Sequence, residues 1–307
     1  MSKKINSDQL IRTDNKSSET VVLLGNGAVE NGWGPLRNVL DKWIVADKNI
    51  PDIVQNLRRR NSEAFHQLSI LSYKYKIHRG YHFAQWTRSK NGSKNGMSIA
   101  DTEKEGLASQ IQGFLTLRDA IANEYKKDQA KLALRESKVI NSLIGTNARF
   151  ITTNWDNTLW NSNRFKNVVH LHGRCDFSDS LVFPTELVIE DTAFDLGPFV
   201  EDLKGTSEKF QKLVKRTYRY GSMHPLIEAH VKASEWIGSA KRLIVWGYSL
   251  GDYDADISAL IATYSTRSKE LIVINPDPYA FQRTVALTSI VKAFHHNPEL
   301  KTTTRLI

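Results

Sequence analysis

The chain has 307 residues, 40% of them apolar, with eight prolines and one cysteine, Cys175. That composition allows one large domain or two small ones, and it excludes a fibrous protein, an internal disulfide framework and any site built from several cysteines. The formal charge of +9 is concentrated: between Arg58 and Lys94, nine cations stand against one acid, Glu63. This segment is expected to meet something acidic.

In chain order, residues 1–18 read as a polar arm without the apolar run of a signal peptide. No stretch approaches the roughly 18–20 apolar residues of a membrane span, so the expectation is a soluble, cytoplasmic protein. Thr20 to Leu24 form an apolar run closed by Gly25-Asn26-Gly27, which predicts a buried strand and a sharp turn. Leu36 to Ile44 has helical spacing. Further helices are predicted near 52–78, 107–126 and 129–144, with a flexible loop at Asn91–Gly96. This block, about 52–145, reads as a helical insertion.

The pattern then changes. Arg149 to Thr153, Asn167 to Leu171, Arg242 to Trp246 and Leu271 to Ile274 are short apolar runs. Helical patterns near 155–162, 224–240 and 252–264 separate most of them. Such alternation predicts a doubly wound parallel sheet, an α/β fold of Rossmann-like type. Residues 174–222 lack clear periodicity and read as an irregular insert with one basic helix near 206–218. Residues 19–307 are therefore expected to make one doubly wound domain carrying a helical subdomain.

In an open parallel sheet, ligands bind beyond the carboxyl ends of the strands. The five strand ends here carry Gly25-Asn26-Gly27-Ala28, Thr152-Thr153-Asn154-Trp155-Asp156, Leu171-His172-Gly173, Gly247-Tyr248-Ser249-Leu250 and Asn275-Pro276-Asp277. The first loop suits a phosphate, because glycines permit close approach and a following helix start favours an anion. It is equally consistent with a tight turn, since Glu30 stands where a dinucleotide fingerprint has its third glycine. Asn154 and Asp156 can cap a helix, or grip ribose hydroxyls and a carboxamide. His172 precedes a glycine at a strand end, and His170 competes with it. Asp252, Asp254 and Ser249 read as helix caps, or Ser249 as a phosphate or ribose contact. Asn275 before Pro276 also fits a plain turn.

Taken in order, the glycine-rich loop, Thr-Thr-Asn-x-Asp, His-Gly, Gly-x-Ser-Leu and the asparagine after the last strand resemble the sirtuin-like superfamily. The resemblance spans residues 21–277, although the motifs themselves are short. It implies an NAD-binding domain in which Gly25, Asn26, Gly27, Ala28 and Thr153 line the nucleotide and Arg37 joins them from the Gly34-Pro35-Leu36-Arg37 segment. It also implies that Gly247, Ser249 and Asn275 contact phosphate and adenosine ribose. Asn154 would support the nicotinamide ribose and position a nucleophile, Asp156 would contact the nicotinamide amide, and His172 would be the base. The family's deacylases carry a four-cysteine zinc ribbon after His-Gly, which a single cysteine cannot build. The chain resembles instead the zinc-free branch of bacterial antiphage defence, whose members hydrolyse NAD.

The resemblance therefore implies NAD as a substrate with no metal, and a homo-oligomer gated by assembly or by a partner such as a ring-forming ATPase of the DNA-translocase type. A non-catalytic NAD or ADP-ribose sensor and a protein deacylase are the alternatives. Between Arg58 and Lys94 the cations interleave with Tyr73, Tyr75, Tyr81, Phe83 and Trp86, so nucleic-acid contact stands beside a plain basic helical face. His295-His296 reads as a surface segment.

Overall fold

The computed structural model describes residues 2–5, 19–46, 97–183, 224–250, 255–290, 292–299 and 302–306, with single helical positions or short helical runs among 64–85 and at 208 and 212. Its first elements are strand β1 (Ser2–Ile5), β2 (Thr20–Leu24), β3 (Val29–Glu30), helix α1 (Gly34–Ala46), α2 (Met97–Asp128), β4 (Ala133–Leu134) and α3 (Lys138–Asn141). There follow β5 (Arg149–Thr152), α4 (Thr158–Asn161), β6 (Asn167–His170), α5 (His224–Ser239) and β7 (Arg242–Trp246). The chain continues through α6 (Ala255–Tyr264), β8 (Glu270–Ile274), α7 (Pro278–Ala286), β9 (Lys292–Asn297) and β10 (Thr302–Leu306).

The chain divides into two compact units. The first joins Met1–Pro35, Tyr125–Asp176 and His224–Ile307, and the second joins Leu36–Glu124 and Phe177–Met223. The first unit holds an eight-stranded sheet in the order β1-β10-β9-β8-β7-β2-β5-β6. The six strands from β9 to β6 are mutually parallel, and β10 and β1 add antiparallel pairs at the β9 edge. Counted by chain order within the parallel set, the strands run 3-2-1-4-5-6, an arrangement compatible with a Rossmann-like fold. The order reverses between β2 and β7.

Strands β2, β7 and β8 carry unbroken Val, Leu and Ile runs because both faces are covered. In β2, Val21 and Leu23 are fully buried with Ile237, Ile257 and Ile261 in one core cluster fed by α5 and α6. Their neighbours Val22 and Leu24 are equally buried on the opposite face, where Phe150 of β5 packs on Phe165 with ring centroids 4.2 Å apart. Each such aliphatic side chain removed from water contributes about 1.5–3 kcal/mol.

Several expectations are revised. The residue 1–18 arm contains β1, which pairs with β10 through its backbone; ladder hydrogen bonds need no apolar side chains, so a polar segment can join an edge. The helix predicted over 129–144 breaks into a 3-10 turn, β4 and α3. Here tertiary pairing overrides helical spacing: Ala133 and Leu134 pair with Glu30 and Val29, and Ser137 Oγ caps α3 at Ile140 N. His295 and His296 lie on β9 rather than in a surface segment. His295 Nε2 meets the Asn275 carbonyl at 2.8 Å, and His296 Nδ1 meets Thr303 Oγ1 at 3.0 Å.

In the second unit, Phe114 on α2 packs edge-on to Phe183 and Tyr75, and the Arg118 guanidinium lies 4.7 Å from the Phe114 ring. Most of Arg58–Lys94, all of Asn91–Gly96 and nearly all of the 206–218 helix lie outside the described residues.

Candidate active site

Strand register brings the motif residues level. Leu24 pairs with Thr152 and Trp246, Thr152 with His170, and Trp246 with Ile274. The next residues, Gly25, Thr153, Leu171, Gly247 and Asn275, therefore form one row along the carboxyl edge. Among the residues just beyond that row are Asn154 and His172. All belong to the first unit.

At the reversal point the two glycine turns lock together. Gly247 adopts φ +72°, and a Cβ there would lie 2.1 Å from Ala28 N. A Cβ on Gly25 or Gly27 would lie 2.8 Å from the Gly247 carbonyl oxygen. Contact between main chains thus requires these glycines. The helix start expected directly after them is a single 3-10 turn, Asn26–Ala28, and α1 begins only at Gly34. The amides of Gly25, Gly27, Ala28 and Val29 donate to Trp246, Gly247, Gly25 and Asn26 carbonyls. What this loop offers a ligand is close approach more than a row of uncommitted amides.

Tyr248 buckles the row. Its hydroxyl accepts from Thr153 N at 3.2 Å and meets Thr153 Oγ1 at 2.9 Å, while its carbonyl accepts from Asn275 Nδ2 at 2.6 Å. Asn275 Oδ1 accepts from Asp277 N, so both halves of this carboxamide are engaged in the turn. Ser249 is exposed, and its carbonyl accepts from Arg283. Arg37 lies on α1 and falls in the second unit.

The β5 loop is more polar than a turn requires. Thr152 Oγ1 donates to Leu24 O and accepts from Asn154 N, which fixes the loop against β2. Asn154 Nδ2 donates to Gly25 O at 3.4 Å, and its Oδ1 is buried with no hydrogen-bond partner among the described residues. Asp156 Oδ1 accepts from Thr158 N at 2.8 Å, the capping role for α4, but its Oδ2 is buried with no hydrogen-bond partner among the described residues. Burial pushes the Asp156 carboxyl pKa upward against the pull of Thr158, which favours the neutral, hydrogen-donating form.

Two imidazoles follow at the end of the neighbouring strand, His170 as the last residue of β6 and His172 just beyond it. His170 Nδ1 meets the Asn154 carbonyl at 3.1 Å, and its Nε2 is buried with no hydrogen-bond partner among the described residues. Burial lowers its pKa from the ordinary 6.5 to about 4, so it is neutral at pH 7. His172, 4% exposed, sets Nε2 2.7 Å from Asp256 Oδ2. Burial raises the Asp256 pKa, but the hydrogen bond from His172 and the nearby His230 imidazole together outweigh it and hold the carboxyl well below the usual range. Asp256 is a residue the motif reading misses. It follows a run of alternating acids at a helix start, which reads as capping, and only the fold brings it to His172.

Cys175, also close in sequence, is structural. Its amide donates to Trp155 O at 2.7 Å, and burial pushes its thiol up to about 12. Among the described residues, no group of three or more His, Cys, Asp or Glu is placed to hold a metal ion, and no helix is long and apolar enough to cross a membrane. Comparison with protein-family models, curated proteins and solved structures finds no match.

Proposed function

We propose that this chain binds NAD across the carboxyl edge of its sheet and hydrolyses the bond between nicotinamide and ribose. The observation that carries the reading is a set of buried polar atoms with no hydrogen-bond partner among the described residues, Asn154 Oδ1, Asp156 Oδ2 and His170 Nε2, on the β5 and β6 strand ends, the second of which also carries the carboxylate-paired His172. Buried polar atoms in proteins are nearly always hydrogen-bonded, so orphans along the carboxyl edge of the sheet ask for a polar ligand or ordered water. The motif resemblance to the sirtuin-like superfamily supplies the choice of NAD.

In this reading nicotinamide departs through an oxocarbenium-like transition state, and water attacks the ribosyl carbon. Asn154 orients that water or the ribose hydroxyls, Asp156 holds the carboxamide of the leaving nicotinamide, and His172 accepts the water's proton. General-base catalysis supplies about 10²–10⁴-fold, and positioning adds to it. The activity would be that of a gated effector in an antiphage defence complex, a homo-oligomer or the companion of a ring-forming ATPase.

Incubating the purified chain with NAD, with and without an acylated peptide, tests the reading against its alternatives. Nicotinamide release that needs no peptide supports hydrolysis. Release only with peptide indicates a deacylase, and binding without release indicates a sensor.

A further inference from the structure

His172 and Asp256 are separated by 84 positions in the chain but share a short contact between a buried imidazole and a half-buried carboxylate. The His172 side chain is 5% exposed and that of Asp256 16%, and Nε2 lies 2.7 Å from Oδ2. A second imidazole, His230 on α5, sets its Nε2 4.0 Å from the same carboxylate oxygen. A carboxylate accepts hydrogen bonds and donates none, so the ring nitrogen facing it carries the hydrogen. In a neutral imidazole the other nitrogen is then the proton acceptor.

We propose that Asp256 is a positioning residue that holds the hydrogen of His172 on Nε2 and so reserves Nδ1 as the atom that takes a proton from the attacking water. The catalytic consequence rests on the NAD-hydrolase reading; the tautomer assignment does not. In the step itself, a water oxygen forms a bond to the ribosyl C1′ as the C1′–N bond breaks. The bonding pair passes to the nicotinamide ring nitrogen and discharges the pyridinium, and the water proton goes to Nδ1. The resulting imidazolium faces an ionised carboxylate, which stabilises the charge as it forms. The proton then passes to solvent, which restores the enzyme.

Asp256 lies at the second position of α6, and its pairing also ties that helix to the strand-end loop. Loss of activity in a variant would alone not separate positioning from scaffolding. The test therefore reads the ring directly. Nitrogen-15 NMR of histidine-labelled protein near pH 8 is expected to find the His172 hydrogen on Nε2. Asp256→Glu should retain it there with activity within about tenfold of wild type. Asp256→Asn should lose the fixed tautomer and at least about 100-fold in kcat, the general-base range, with KM changed less than about threefold. A wild-type ring carrying its hydrogen on Nδ1 would overturn the proposal, whether or not either variant folds. So would an Asp256→Asn protein whose ring stays on Nε2 or whose kcat stays near normal. If wild type releases no nicotinamide, the functional reading fails while the wild-type ring spectrum still decides the tautomer.

Discussion

The Gly27 amide donates to the Gly247 carbonyl oxygen across 3.0 Å, so the turns after the first and fourth parallel strands are bonded to each other where strand order reverses. The expected ligand edge is thus built on a rigid crossing of two main chains. Its glycines are required by packing before any ligand is considered.

Gly247→Ala tests that crossing. The new Cβ meets Ala28 N at 2.1 Å and forces a left-handed residue to carry a side chain, so a loss of about 2–5 kcal/mol is expected. Gly238→Ala, in open space on α5, should cost nothing and gain up to about 1 kcal/mol from helix propensity. Urea denaturation midpoints of the two variants check both signs.

Tyr248→Phe removes a hydroxyl that serves both the amide and the hydroxyl of Thr153. The expected cost is about 1–2 kcal/mol in stability. Because the ring also packs against Gly25, the aromatic replacement keeps the crossing in place. In the NAD-hydrolase reading the variant should raise KM for NAD more than it lowers kcat, as steady-state kinetics will measure.

His172→Ala and Asn154→Ala should each lower NAD turnover by at least about 100-fold while circular dichroism reports an intact fold. Near-normal turnover in either purified variant refutes its assigned role. Loss of activity in His170→Ala with survival in His172→Ala would transfer the base to the other histidine.

His170 gives a stability prediction independent of catalysis. Burial lowers its pKa from 6.5 to about 4, so the unfolded chain binds the proton more readily. Between those two values stability should therefore fall as pH drops, by up to about 1.4 kcal/mol per pH unit for this one group. His170→Asn should flatten the slope by that amount. Comparing wild type and variant across the window removes the contributions of Asp156 and His296, which the two proteins share.

Five of the six parallel strands were legible because covered sheet faces demand apolar runs, as in Thr20–Leu24 and Leu271–Ile274, whereas β9 was not, because its apolar residues give way to His295, His296 and Asn297. β10 and β1 were not, since their threonines, lysines and serine pair through the backbone at an edge and carry no such signal. The site divides the same way. Asn154, Asp156 and His172 stand at strand ends where the chain order alone suggests chemistry. Asp256 becomes meaningful only when α6 packs beside the β6 end, and Tyr248 only when its hydroxyl reaches Thr153. Neither contact leaves a local pattern.

A crystal structure with a non-hydrolysable NAD analogue, its nicotinamide ribose made carbocyclic, tests the central claim most directly. The scissile carbon is expected within about 4 Å of the Asn154 side chain or a water it holds, near attack distance. His172 is expected on the same side, and the nicotinamide amide at Asp156. An analogue bound elsewhere, or one that leaves Asn154 and His172 on opposite sides of the dinucleotide, would contradict it.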